Sequence, residues 1–223
     1  VKKGPDVKII DEQNPQAFIE GCTREAVEDA LNLIMKQGGD IEPRGMIRFD
    51  GENITYLCYN ENYYSSCTNQ RPMLLKHIKN EITEYVRPRV SNCFESLKKE
   101  LEPRYVVEMD TNWELTTILA TQEVKIEINR EFKMKRGDEI RNFELFKINI
   151  ISPVYELAKT AIEITNQESE YCYFNINGFN MNYPKWEVRK EMMDDSKIYK
   201  IKERASNQKF NFAIRGCVMP PGF

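Results

Sequence analysis

Six cysteines, Cys22, Cys58, Cys67, Cys93, Cys172 and Cys217, are spread along 223 residues, and an even set of this kind has the arithmetic of three disulfides. No two of them stand as Cys-x-x-Cys, which sets aside a zinc ribbon or a thioredoxin-type redox pair. Cys58 and Cys67 flank the polar, tyrosine-bearing loop 59–66 and read as a local staple. Cys22 and Cys93 each fall in a long helical pattern and would tie two helices together. Cys172 and Cys217 remain, and would tie the C-terminal segment back to the body. Other connectivities stay open, because spacing alone does not choose among them. So does a reduced, cytosolic chain whose free thiols pack as small hydrophobes.

Asn53-Ile54-Thr55 is an N-glycosylation acceptor beside a predicted turn, and it points the same way as paired cysteines, to an extracytoplasmic chain. No stretch approaches the roughly 18 to 20 apolar residues of a membrane span, and no signal peptide is visible. The first residue is Val1, followed by Lys2-Lys3-Gly4-Pro5. The expectation is a mature or truncated product with a targeting segment upstream, either a cleaved signal or an anchor. The charge balance, 32 Lys+Arg against 35 Asp+Glu, lacks the basic excess of a nucleic-acid binder. With 41% apolar residues the chain can bury a core and is neither a disordered tail nor a membrane bundle.

Asn14-Pro15 predicts a helix start, an N-cap followed by proline at the first helical position. Phe18, Cys22, Ala26, Val27, Ala30, Leu31 and Ile34 recur at helical spacing, and Gly38-Gly39 ends the pattern after Lys36. Segments 46–49 and 54–59 predict a hairpin around Asp50-Gly51-Glu52-Asn53. A second helix is expected from near Pro72, with Leu75, Ile78, Ile82, Tyr85, Val86, Val90, Cys93, Leu97 and Leu101 in its stripe. Pro88 should kink or break it and Pro103 should end it. From Tyr105 the period changes to two. Val124, Ile126, Ile128, Phe132 and Met134 mark a half-buried strand, 135–139 a turn, and 140–151 the returning strand. Ser152-Pro153 opens a third helix, expected to finish by Gln167, and short strands are expected at 171–176, 198–202 and 210–218. The implied class is α+β: an antiparallel sheet with three helices packed on it, disulfide-stapled. Residues 14–223 form one extracytoplasmic domain in this reading, behind an extended tether at 1–13.

Chemistry-bearing residues are few. His77, the single histidine, sits between Lys76 and Ile78 and reads as an exposed helical residue whose Glu81 at i+4 is only a surface partner. Asp194, Asp195, Glu108 and Asp110 lack the alternating ladder of a calcium loop and read as solvated acids. No catalytic residue, metal or cofactor is expected. Nothing among 35 acids selects a carboxylate pair, and Gly38-Gly39 follows a helix, the wrong end for cradling an anion. Tyr171, Tyr173, Phe174, Phe179, Tyr183 and Trp186 form an aromatic, amide-rich run that either faces a partner or sugar, or half fills the core. Tyr59, Tyr63 and Tyr64 in the cysteine-bounded loop have the composition of a recognition surface. The partner-binding candidates are therefore Tyr59, Tyr63, Tyr64, Phe179, Tyr183 and Trp186. The run Val7 to Ile10 would pair with its own sheet, or add to the edge of a neighbouring subunit and build filaments.

The combination resembles an uncharacterised group of single-pass surface proteins from small-genome (DPANN-type) archaea. The resemblance rests on the Cys22-led helix through Glu28-Asp29-Ala30-Leu31 to Gln37-Gly38-Gly39, and on Cys93 late in the second helix. The hairpin Val124 to Ile150 and the start Ser152-Pro153-Val154-Tyr155-Glu156-Leu157-Ala158-Lys159 also match, so it spans about Ala17 to Ile164. It implies a short N-terminal hydrophobic anchor, an extracellular α+β body and a Cys22–Cys93 bridge as the shared staple. Cys58, Cys67, Cys172 and Cys217 go beyond the pattern. The leading functional expectation is a non-enzymatic cell-surface protein, an anchored ectodomain or the subunit of a surface filament or layer, meeting a protein or surface glycan. The alternative is an extracellular hydrolase using a carboxylate pair on polysaccharide or peptide, which predicts a concave pocket holding two acids with divergent pKa values. A cytosolic binding protein is a third reading, and oxidised cysteines would defeat it.

Overall fold

A computed structural model of the chain describes residues 14–220, so the expected run Val7 to Ile10 and the tether 1–13 lie outside the described residues. Helix α1 (Pro15–Lys36) starts as the sequence predicts: Asn14 accepts the Ala17 amide hydrogen at 3.0 Å and proline takes the first turn. It ends where Gly38 and Gly39 adopt left-handed φ angles of 77° and 104°. A Cβ on Gly39 would lie 2.9 Å from the Leu74 side chain, so both conformation and space require glycine there.

Strands β1 (Met46–Phe49) and β2 (Glu52–Tyr59) form the expected hairpin, tighter than predicted. Phe49 pairs with Glu52, leaving only Asp50 and Gly51 in the turn, both at positive φ, the arrangement that matches strand twist. After the two-residue β3 (Thr68–Asn69), α2 runs from Leu74 to Leu101. Pro88 lies inside α2 and does not break it. One missing amide donor is outweighed by a buried stripe of Ile78, Ile82, Val86, Val90, Phe94 and Leu97.

The chain next builds a four-stranded antiparallel sheet. Its spine is β6 (Glu123–Arg136), paired along its length with β7 (Glu139–Ile151). On the other side of β6 lie β4 (Val106–Met109) and β5 (Glu114–Ala120), end to end. Helix α3 (Val154–Tyr171) follows, then the short α4 (Ile176–Asn182). Strands β8 (Trp186–Met193), β9 (Ser196–Glu203) and β10 (Lys209–Arg215) complete a second sheet in the order β1-β2-β10-β9-β8, with β3 beside β2. The class is α+β, and the detail departs from expectation in three ways. There are two sheets; β10 runs parallel to β2, so one sheet is mixed; and four helices are present among the described residues. The segment 171–176 is not a strand, because α3 runs on to Tyr171.

Helices α1 and α3 each touch both sheets and α2 lies against α1 and β5, so the helices fill the space between the sheets. Phe94 of α2 meets Phe132 and Phe146 of the antiparallel sheet, while Tyr199 stacks on Phe212 in the mixed one. Three disulfides, Cys22–Cys93, Cys58–Cys67 and Cys172–Cys217, pair every cysteine, as the residue order suggested. They join α1 to α2, close the loop after β2, and tie the end of α3 to the segment beyond β10. Three such bonds indicate an oxidising environment outside the cytosol. Among the described residues no helix is long and apolar enough to cross a membrane.

Candidate functional site

Two places concentrate unusual side chains. The first is a polar cleft of about 430 Å³ beside the start of α2, lined by Asp40, Arg44, Arg71, His77, Glu81 and Tyr85 among others. The Gly38-Gly39 turn delivers Asp40 inward, with its side chain only 4% exposed. Its carboxylate accepts from Thr55 Oγ1 at 3.0 Å, from Arg71 Nη2 at 3.0 Å and Nε at 3.3 Å, and from His77 Nε2. Four elements are pinned there: the turn after α1, β2, the loop after β3, and α2. Burial alone would raise the Asp40 pKa, but the hydrogen bonds from His77 and Arg71 and the Arg71 charge outweigh it and hold the carboxyl below its ordinary range.

His77 is thus no free surface residue, correcting the sequence expectation. Its ring reaches a buried acid 37 positions away. Glu81 is also more than a surface partner, because it accepts the Ile41 amide hydrogen at 2.8 Å and lies 3.9 Å from His77. Among the cleft-lining residues the one hydroxyl is the Tyr85 phenol, and the neighbouring Thr55 hydroxyl is spent on Asp40. A low-pKa acid held by the Arg71 guanidinium and hydrogen-bonded to the His77 ring has the character of a clamp between elements.

The second place is a tyrosine-rich face built on two disulfides. Loop 60–67 is closed by Cys58–Cys67 and zipped to the C-terminal segment: Tyr64 donates its amide hydrogen to Val218 at 2.8 Å, and Cys217 donates to Ser65 at 2.7 Å. Gly216 permits that approach, since a Cβ there would fall 2.8 Å from Cys67 Cβ. Cys172–Cys217 then brings the end of α3, with exposed Tyr171 and Tyr173 on either side of Cys172, to the segment that is zipped to exposed Tyr63 and Tyr64 and carries exposed Met219. Arg215 runs beneath, with its guanidinium over the rings of Tyr59 and Tyr63. It is fixed by the Asn60 carbonyl and by Asp195 at 3.2 Å. Exposures of 64% for Tyr64 and 65% for Tyr171 leave large aromatic area facing water on a cross-linked backbone.

The aromatic candidates divide. Tyr59, Tyr63 and Tyr64 belong to this face. Phe179 and Tyr183 lie on and just after α4, their rings 4.8 Å apart, beside a separate cleft. Trp186 is 8% exposed and Phe174 2%, so both are core residues, and Trp186 offers no partner a surface. Asp194 and Asp195 occupy the β8–β9 turn, where Asp195 is a partner of Arg215. Among the described residues no cluster of three or more His, Cys, Asp or Glu could hold a metal. Asn53 lies in β2 opposite Arg48 and is partly exposed. Sequence reasoning missed Asp40 and Arg71. The local signal was an acid directly after a Gly-Gly helix stop, and nothing local names its distant partners. No family model, curated protein or solved structure matches the chain.

Proposed function

We propose that this protein acts outside the cytosol as a non-enzymatic cell-surface component, an anchored ectodomain or the subunit of a surface filament or layer, and that the tyrosine face is where it meets a partner protein. The observation that carries this reading is the pairing of exposed tyrosines with covalent closure. Two disulfides and a glycine hold Tyr63, Tyr64, Tyr171 and Tyr173 on a backbone that loses little freedom on binding. Tyrosine buries large area at low entropic cost, with Arg215 as a cationic support. Three bridges support the oxidising location, and glycosylation at Asn53 would agree with it. Membrane attachment through an upstream anchor belongs to the same proposal.

The test uses the native protein on intact cells. Alkylation without reduction should modify no cysteine, and a membrane-impermeant label should reach the protein. The triple variant Tyr64→Ala/Tyr171→Ala/Tyr173→Ala should keep the wild-type fold but lose its retention in surface assemblies. Six alkylated thiols would overturn the location, and unchanged retention would overturn the role of the face. The hydrolytic alternative would draw on the Asp40 cleft. It is the weaker reading, because Asp40 is committed to Arg71, His77 and Thr55.

A further inference from the structure

An open cleft of about 530 Å³ lies between the last turns of α3 and the short helix α4. Its floor is aromatic. Buried Phe174 supports Phe179 at 5.5 Å between ring centroids, and Phe179 supports Tyr183 at 4.8 Å with the rings tilted by only 36°. The floor is fixed in place because the Asn180 side chain bonds the Val188 backbone twice, donating to its carbonyl at 3.0 Å and accepting its amide hydrogen at 2.8 Å, which clamps α4 to β8. The rim is amide-rich. Gln167 donates to Glu163 at 2.6 Å, leaving a donor and acceptor side by side on α3. Asn175 uses its oxygen to cap Gly178, which leaves its NH₂ group available, and Asn182 completes the rim. A Cβ at position 178 would fall 2.8 Å from Asn175 Nδ2, so the glycine makes room for that amide.

No lysine or arginine lines the cleft, and its one acid is already hydrogen-bonded. The complementary ligand is neutral, has an apolar face to lie on Phe179 and Tyr183, and carries hydroxyls at its edge for alternating donors and acceptors. We propose that the α3–α4 cleft is a binding site for a neutral carbohydrate, with Tyr183 as the stacking platform and Asn175, Asn182, Gln167 and Glu163 as the hydroxyl-binding rim. The cleft is a different surface from the tyrosine face. It rests on the extracytoplasmic reading only for where glycans are met.

The experiment titrates the oxidised, full chain with neutral glucan, mannan, galactan and N-acetylglucosamine oligomers, up to about 10 mM because single-ring contacts bind weakly. Side-chain amide resonances of Asn175, Asn182 and Gln167 report binding. At least one neutral series should shift them. Tyr183 is 55% exposed, so Tyr183→Ala should leave the thermal midpoint unchanged while weakening binding about tenfold. Gly178→Ala, which displaces the Asn175 amide, should weaken it several-fold, and Tyr64→Ala should have no effect. The proposal is overturned if no neutral oligomer moves these amides, if only charged glycans do, or if Tyr183→Ala binds as tightly as wild type. An effect of Tyr64→Ala equal to that of Tyr183→Ala would move the binding to the tyrosine face and overturn it too.

Discussion

Glu168 and Asp40 are both carboxylates withdrawn from water, and the molecule holds them in opposite ways. Glu168, on α3, has a side chain 1% exposed and accepts from the Tyr199 hydroxyl and Lys197 Nζ. Lys197 is only 15% exposed, and it also donates to the Cys172 carbonyl at 2.9 Å. Burial, then the hydrogen bond and charge of Glu168, drive the Tyr199 pKa far upward, so the phenol stays neutral. Asp40 is nearly as buried, but its partners Arg71 and His77 are 30% and 28% exposed and face an open cleft. A buried acid whose cation is half as exposed as Arg71 stakes more of the local fold on one pair. Where the acid's partners reach water, losing the acid does less damage, because the freed partners are solvated.

The largest effect concerns the covalent frame around both acids. Cys22→Ser with Cys93→Ser opens a link between residues 71 apart and should cost about 4 kcal/mol, against about 2.5 kcal/mol for the Cys58–Cys67 pair, whose separation is 9. Thermal midpoints of the two double variants give the comparison, and equal losses would refute the chain-entropy ordering. Glu168→Gln should follow at about 3 kcal/mol, since Lys197 would lose its carboxylate partner in a largely desolvated site. Asp40→Asn should cost less, about 2 kcal/mol by urea unfolding. If Asp40→Asn proved the more damaging, solvent access of the partners would not be what separates the two sites. Tyr199→Phe should be the smallest, about 1 kcal/mol, because Lys197 still answers Glu168.

Proton linkage sharpens the contrast. The folded-state pKa of Asp40 lies below its ordinary 3.8, so its ion pairs contribute stability above that value and lose it as pH falls through the folded-state pKa. The stability gap between wild type and Asp40→Asn should therefore close as pH drops from about 4 towards 2. Urea midpoints measured across that range provide the check, and a gap that widens with acid would contradict the sign.

The same two acids show what could be read in the chain beforehand. Glu168 hid the last turn of α3: the apolar stripe of Leu157, Ala161 and Ile164 continues on its inner face as Thr165 and Glu168, so a pattern of apolar residues ends a turn early. The aromatic run behind it then reads as a strand, where the chain instead stops α3 with Cys172 at a left-handed φ of 57° and starts α4. Strand β8 went unseen because only Trp186 and Val188 of its eight residues are buried. Helices α1 and α2 and the β6–β7 hairpin were legible because their periods are long and unbroken. The mixed sheet was not, since periodicity marks a strand without naming its neighbour, and β2 meets β10 across more than 150 residues. The pairing of Asp40 with His77 was illegible for the same reason. The tyrosines of the stapled loop could be named, whereas their union with Tyr171 and Tyr173 depended on which cysteines joined.

Thr55 has a consequence for how the chain is made. It is the third residue of the Asn53-Ile54-Thr55 acceptor, and its hydroxyl is buried against Asp40. An enzyme that reads this hydroxyl while transferring a sugar to Asn53 must work before the turn after α1 closes over β2. Glycan occupancy at Asn53 would then act as a clock, recording in each finished molecule whether modification or folding won the race.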